Sequence, residues 1–405
     1  MIDTLQRSVS KMRLGAARVR LTLAFVIGLG MVGAPSAQAQ TFTVLYNFTG
    51  VSGAYPRAGV IQDAAGNLYG TTYQGGHSNV GTVFKVDDSG TETVLHAFGG
   101  GTRDGNFPAA ALVRDTAGNF YGTTYEGGPF TFGTVFKLRD GKETVLHIFT
   151  GPRGAYPNGA LIRGAKGNLL GTTEWGGTGA CGSGGCGTVF ELDATGRETV
   201  LHNFAAGASD GANAYMASLL MDKEGNLYGV TYQGGAFNSG VVYKLTKGGK
   251  LTVLHSFAGG TADGCNPMGT PAMDDKGNLF GTASGCGSLG DGIVWRVSKN
   301  GTETVLHNFA GTSDGAFPKA GVIRDANGNV YGDAELGGSF YQGTVYKLSE
   351  SGTLTTLHSF NGTTDGGSPT GGLMRDSKGN LYGTTVTGGS GTGCNGCGTV
   401  WKLTP

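Results

Sequence analysis

Short apolar runs alternate with polar, glycine-bearing breaks along most of this chain, and the runs recur in a fixed order. In the second copy, PAAALVRD (Pro108–Asp115) is followed by GNFYGTTYEGG (Gly118–Gly128), GTVFKL (Gly133–Leu138) and ETVLHIF (Glu143–Phe149). The runs are rich in β-branched and aromatic residues and bounded by Gly and Asp, which predicts strands joined by turns. No stretch after residue 40 sustains a helical period. The phrase GNLYGTT or a variant occurs seven times, its second Gly falling at Gly70, Gly122, Gly171, Gly229, Gly281, Gly332 and Gly383. A period near fifty residues with four strands per period predicts the blades of a β-propeller.

Connection lengths set the phase of a blade. RDTAGN and LRDGKE are short, as in hairpins, whereas longer segments such as GGGTRDGNFP follow each LHxF run. TVLHxF is therefore the fourth, outermost strand. The last repeat, from Pro369 to Leu403, then holds three strands, and TFTVLYNF (Thr41–Phe48) is expected to supply its fourth. Closing the ring in this way removes exposed strand edges. The alternative phase, with TVLHxF opening each repeat, also gives seven units and needs no such closure. The predicted fold is an all-β, seven-bladed β-propeller over residues 40–405, its N-terminal strand closing the last blade.

The stretch GNLYGTTYQGG…GTVFKVDDSGTETVLHAF resembles the GloVer tandem repeat of exported bacterial proteins, over essentially the whole chain after residue 39. The order PxAxLxxDxxGNLYG is similar to NHL-type and lyase-type propeller blades. The resemblance implies an extracytoplasmic bacterial protein and brings no established activity with it.

Residues 1–39 agree with export. Lys11, Arg13, Arg18 and Arg20 precede an apolar run from Leu21 to Val32, and Ala37-Gln38-Ala39 gives a small-x-small cleavage pattern. The run is too short to span a membrane, so a secreted or periplasmic product is predicted. Glycine, 79 of 405 residues, falls at fixed phases beside Val, Leu, Phe and Tyr, as regular turns require. Lys+Arg and Asp+Glu balance at 29 each, which leaves no basic footprint for nucleic acid. Six cysteines in an exported chain favour disulfides. Cys181 and Cys186 bracket GSGG, Cys394 and Cys397 bracket NG, and Cys265 and Cys286 lie in loops of the same face. A four-thiolate metal site would have to join blades three and seven, which are not neighbours, so neither metal nor cofactor is expected.

Six of the seven histidines (His96, His147, His202, His255, His307, His358) occupy one repeat position, with Tyr46 at the seventh. On outermost strands they point apart, so packing and hydrogen bonding between blades is expected rather than one shared site. Period-two alternation places Val, His and Phe of TVLHxF on one side of the strand. The Asp-Gly pairs at Asp104, Asp210, Asp263, Asp314 and Asp365 read as turns. Departures from the repeat carry more information. Tyr73, Tyr125, Glu126, Glu174, Trp175, Tyr232 and Glu335 follow the second strand, and Asp333 stands where five copies have Thr. Aromatic rings mixed with carboxylates suit an extracellular glycan, or a protein contact. The plainer alternative is that these side chains only cap the blade ends. Glu126 and Glu174 lie one residue out of step, which weakens them as an acid/base pair. No nucleophile elbow, phosphate loop or zincin motif appears. The reading is a non-catalytic binding module; the rivals are a polysaccharide lyase or hydrolase with its site on the long-loop face, and a structural envelope protein.

Overall fold

The strands pair into seven antiparallel four-stranded sheets, one per repeat, in a computed structural model that describes residues 40–404 apart from 392 and 395. The leader read at 1–39 lies outside the described residues. Blades 1 to 6 span residues 61–97, 113–148, 162–203, 220–256, 264–308 and 323–359. Blade 7 takes Met374–Arg375, Leu381–Thr385 and Thr399–Thr404, and its outer strand is Thr41–Asn47. Thr41 lies opposite Thr404, Val44 opposite Trp401 and Asn47 opposite Thr399. The seam predicted from loop lengths is therefore present, and the alternative phase is excluded. No helix among the described residues is long and apolar enough to cross a membrane.

One aromatic step, repeated seven times, joins each blade to the next. The Phe that ends each LHxF run is buried against the aromatic ring of the next blade's third strand. The pairs are Phe98–Phe136, Phe149–Phe190, Phe204–Tyr243, Phe257–Trp295, Phe309–Tyr346, Phe360–Trp401 and, across the seam, Phe48–Phe84, at 4.9–5.8 Å between ring centroids. The third-strand ring in turn lies over the Gly of GNLYGTT. A Cβ on Gly70 would come within 2.6 Å of Phe84, and one on Gly281 within 2.3 Å of Trp295. The repeat keeps Gly there because the neighbouring ring occupies the space a side chain would need.

The turn DxxGNxY is held by one carboxylate. Asp115 Oδ1 accepts from the Ala117 and Asn119 amides at 2.9 and 2.8 Å, and Oδ2 from Asn119 Nδ2 and the Tyr121 hydroxyl at 2.7 and 3.0 Å. Its modest burial raises the pKa, but these hydrogen bonds outweigh that and bring it to about 2. Blade 3 has Gly164 at the Asp position, and there Asn168 donates instead to Glu191, which replaces the Lys or Arg of the other blades.

Two expectations fail locally. The first strand is only two residues long in six blades, because near the axis its ladder gives way to contacts between blades. The Gly59 amide donates to Gly371 O at 2.7 Å, and Thr384 Oγ1 to Ala58 O at 2.9 Å. The fourth strand does not alternate strictly: its register shifts between Val94 and His96, a bulge repeated in every blade. Val94 is consequently 37% exposed while Phe98 is buried.

Candidate ligand-binding site

The crossings end where the inner segments converge, and there the chain builds a cup of about 140 Å³ lined by Arg57, Tyr73, Ala109, Tyr125, Asn158, Tyr215 and Met216. The cup shares Arg57, Ala109, Asn158 and Met216 with an axial cavity of about 100 Å³, which also touches small residues of all seven blades, from Ala58 to Gly371. Two structural positions supply the lining. Tyr73 and Tyr125 follow the second strand; Arg57, Ala109 and Asn158 follow the crossing proline. Blade 4 departs from this pattern. From Asn213 to Asp222 is nine positions, where Phe107 to Asp115 is eight, and the extra residue is absorbed at Met216, whose φ is +50°. The insertion delivers Tyr215 to the cup, and the Met216 amide is held by Asn158 Oδ1 at 3.0 Å.

The aromatic lining falls into two sets of ring contacts. The Arg57 guanidinium sits 3.6 Å above the Tyr73 ring, which stacks on Phe107 at 5.0 Å. Tyr125 lies 5.0 Å from Tyr156, whose edge contacts Phe132. Phe132, Tyr156 and Trp175 then line a groove of about 820 Å³, walled also by Pro152, Cys181 and glycine backbone. Glu174 braces the cup from behind: Tyr125 donates to its Oε2 at 3.2 Å and Asn158 Nδ2 to the same oxygen at 3.1 Å. Burial raises the Glu174 pKa, partly offset by these donors. Burial, reinforced by the Glu174 charge, raises Tyr125 and Tyr215, so both keep their protons at neutral pH.

Of the residues singled out from the sequence, Tyr73, Tyr125 and Glu174 come together at the cup. Tyr232 stands behind Tyr215, edge-on at 5.8 Å. Trp175 belongs to the groove, and Glu335 is paired with Lys319 at 2.6 Å. Glu126 ladders with Asn106, one residue out of step with Glu174, and is not part of the cup. Asp333 does not belong on the surface at all: it is 1% exposed inside blade 6. Its counterparts Thr71, Thr172, Thr282 and Thr384 donate to a carbonyl of the next blade. Asp333 instead accepts from the Gly372 amide through Oδ2, and its Oδ1 has no partner. Arg57, Asn158 and Tyr215 were not singled out; the signals for them were the variable residue after each crossing proline and the one-residue excess in blade 4.

Asp333 supports a pH prediction. Burial raises its pKa from 3.8 to about 7. A carboxyl raised on folding leaves stability intact below the unfolded value and lowers it as pH climbs towards the folded value. Asp333→Thr is therefore expected to match the parent near pH 4 and exceed it above pH 7, by up to ~4 kcal/mol. Urea unfolding of both proteins at the two pH values checks this; a difference independent of pH would contradict it.

The six cysteines form three disulfides, Cys181–Cys186, Cys265–Cys286 and Cys394–Cys397.

A search of curated proteins returns no match. Among solved structures, the extracellular domain of a protein described as a one-component system of B. thetaiotaomicron superposes with a TM-score of 0.55 at 9% identity. That match covers 87% of this chain but only 39% of the other, and it is a likeness of fold. Weaker matches are a protein described as a glucose dehydrogenase from Thermus thermophilus (TM-score 0.45, 16% identity, 76% and 98% covered) and one described as a gluconolactonase (0.40, 14%, 76% and 89%). The model of the Gloeobacter/Verrucomicrobia repeat matches three times, over residues 27–183, 175–332 and 269–405, and so takes in all seven blades. The chain belongs to the Gloeobacter/Verrucomicrobia repeat family.

Proposed function

We propose that the protein is an exported, non-catalytic binding module for an extracellular glycan, held at the cup and the neighbouring groove. The observation that carries this reading is the set of aromatic side chains that line the cup (Tyr73, Tyr125) and the neighbouring groove (Tyr156, Trp175), joined by the Tyr125–Tyr156 contact and bordered by the polar groups of Arg57 and Asn158. Rings offer flat apolar faces to sugar C–H groups, while fixed amide, guanidinium and phenol groups meet hydroxyls. The cup is below the ~300 Å³ lower end of small-molecule sites. It suits one terminal unit, with the chain continuing along the larger groove. Export is supported by three disulfides and by the leader pattern at 1–39.

An enzyme reading has one specific support, the buried Glu174 with its raised pKa. Against it, no carboxylate is among the side chains that line the cup, where a hydrolase would use a pair. Tyr125 keeps its proton, so it is a poor base for a lyase. A glycan array with the purified protein tests binding, and chromatography of the retained glycans after incubation tests cleavage. Retention without shortened or unsaturated products is expected. Tyr125→Ala with Trp175→Ala is expected to weaken retention on the order of tenfold or more; unchanged retention by the folded double variant would sink the assignment.

A further inference from the structure

The fourth-strand histidines and the crossing aspartates, far apart in role on the sequence, meet at the blade interfaces. His202 Nε2 lies 3.0 Å from Asp210, His255 3.2 Å from Asp263, His307 3.0 Å from Asp314 and His358 2.9 Å from Asp365. The third participant is the residue that begins the next blade's fourth strand, and it varies with its surroundings. Where that residue is Leu251, Leu354 or Phe42, the His–Asp pair faces an apolar side chain; Phe42 stacks on His358 at 3.7 Å.

Where it is Glu, the partners change. Between blades 2 and 3 the crossing carries Arg153 in place of Asp, and its Nε donates to Glu198 Oε2 at 2.8 Å, with His147 Nε2 at 3.5 Å from the same oxygen. Across the seam Glu92 interacts with Tyr46, whose hydroxyl donates to Ser52 Oγ at 2.9 Å, and the crossing carries no Asp. Among the described residues, only two interfaces bring Glu and Asp together: His96, Asp104 and Glu143, and His255, Asp263 and Glu303. In each, one ligand atom per residue lies within 4.8 Å of the other two. Oε1 is buried without a hydrogen-bond partner in all four of these glutamates, Glu92, Glu143, Glu198 and Glu303, and at the first cluster His96 Nε2 is unpartnered as well.

A protein guanidinium compensates Glu198 where the crossing allows one. At the two other sites an additional carboxylate and an imidazole converge with no Lys or Arg side chain among their ion-pair partners. We propose that each of these two clusters binds a divalent transition-metal ion, coordinated by His Nε2 and one oxygen from each carboxylate. The ion would tie the fourth strand of one blade, the crossing and the fourth strand of the next. Imidazole with carboxylates and no thiolate suits Zn²⁺ or Mn²⁺, not Cu⁺. Ca²⁺, with its six to eight oxygens, is a poorer match. Bonds of about 2.0–2.2 Å place zinc ligands roughly 3.4 Å apart, so the side chains must close slightly on loading. Three protein ligands leave one position for water.

Zinc is the probe. Untagged, disulfide-intact protein is stripped with a chelator, titrated with Zn²⁺ by calorimetry, and its retained metal measured after dialysis. Two equivalents per chain are expected. Glu143→Gln and Glu303→Gln should each leave one equivalent, and the double variant none, while Asp210→Asn at an interface without Glu should keep two. Gln matches Glu in shape and is neutral, and a circular dichroism spectrum like the parent's shows that the fold is kept. Fewer than two equivalents for the parent, or two retained by the folded double variant, would overturn the proposal.

Discussion

A chain lacking Thr41–Asn47 is expected to lose its folded ring. The strand is the only partner of the outer edge of Thr399–Thr404 among the described residues, with six registered pairs along it. Its removal also takes Phe42 away from His358, Phe360 and Trp401, where the ring contacts are 3.7–5.7 Å. Blade 7 would then have three strands, an open edge and a hole at its junction with blade 6. The other blades close only because this one does, so the defect is not local. A loss of more than ~5 kcal/mol, with aggregation through the exposed edge, is expected. Urea unfolding and size-exclusion chromatography measure it. Re-attaching the TFTVLYN segment through a short flexible linker after residue 405 should restore the soluble monomer, because the strand needs its place in the sheet, not its place in the sequence. A deleted chain as stable as the parent would show that the seam does not hold the ring.

The second large effect concerns a single hydrogen atom replaced by a methyl group. Gly281→Ala would place Cβ 2.3 Å from Trp295 Cζ2, and Trp295 is fully buried against Phe257. The ring cannot retreat without displacing the aromatic step that joins blades 4 and 5. Overpacking of this kind costs about 1–3 kcal/mol, and the rigid indole puts this case at the upper end. Gly248→Ala is the matched control: its Cβ would find its nearest neighbour, Thr246 Oγ1, at 3.8 Å, and a change within about 0.5 kcal/mol is expected. Chemical unfolding of the two variants side by side gives the comparison. Equal stabilities would mean that the glycine of GNLYGTT is kept for some reason other than space.

The ring and its seam were readable because they follow from spacing: four runs per period, short and long connections, one run left over at the first repeat and one missing from the last. What spacing does not carry is the path of a crossing. The His–Asp partnership was hidden because His202 and Asp210 are eight residues apart on either side of a bend whose shape comes from its glycines. The cup was half visible. Tyr73 and Tyr125 stood out as departures at a strand end, but Arg57 and Asn158 directly follow a proline that reads as the start of an inner strand, and nothing local reveals that six of the seven inner strands shrink to two residues. Asp333 was misplaced by depth. It shares its side of the strand with Glu335, but two residues further in, the next blade's backbone covers that side, and only Thr or a buried carboxyl fits there. The paired register shift in every fourth strand was likewise invisible, since a bulge leaves the composition of TVLHxF unchanged.

Tryptophan emission tests the glycan-binding claim most directly, because the protein reports on the groove by itself. Of the three tryptophans, Trp295 and Trp401 are fully buried between blades, and only Trp175 reaches solvent, at the groove. Titration with an oligosaccharide retained on the array should change the emission saturably, and the change should vanish in Trp175→Phe and need a higher concentration in Tyr125→Ala. A saccharide that binds with equal affinity in the parent and in Tyr125→Ala, leaving the emission unmoved, would place the site elsewhere and contradict the account.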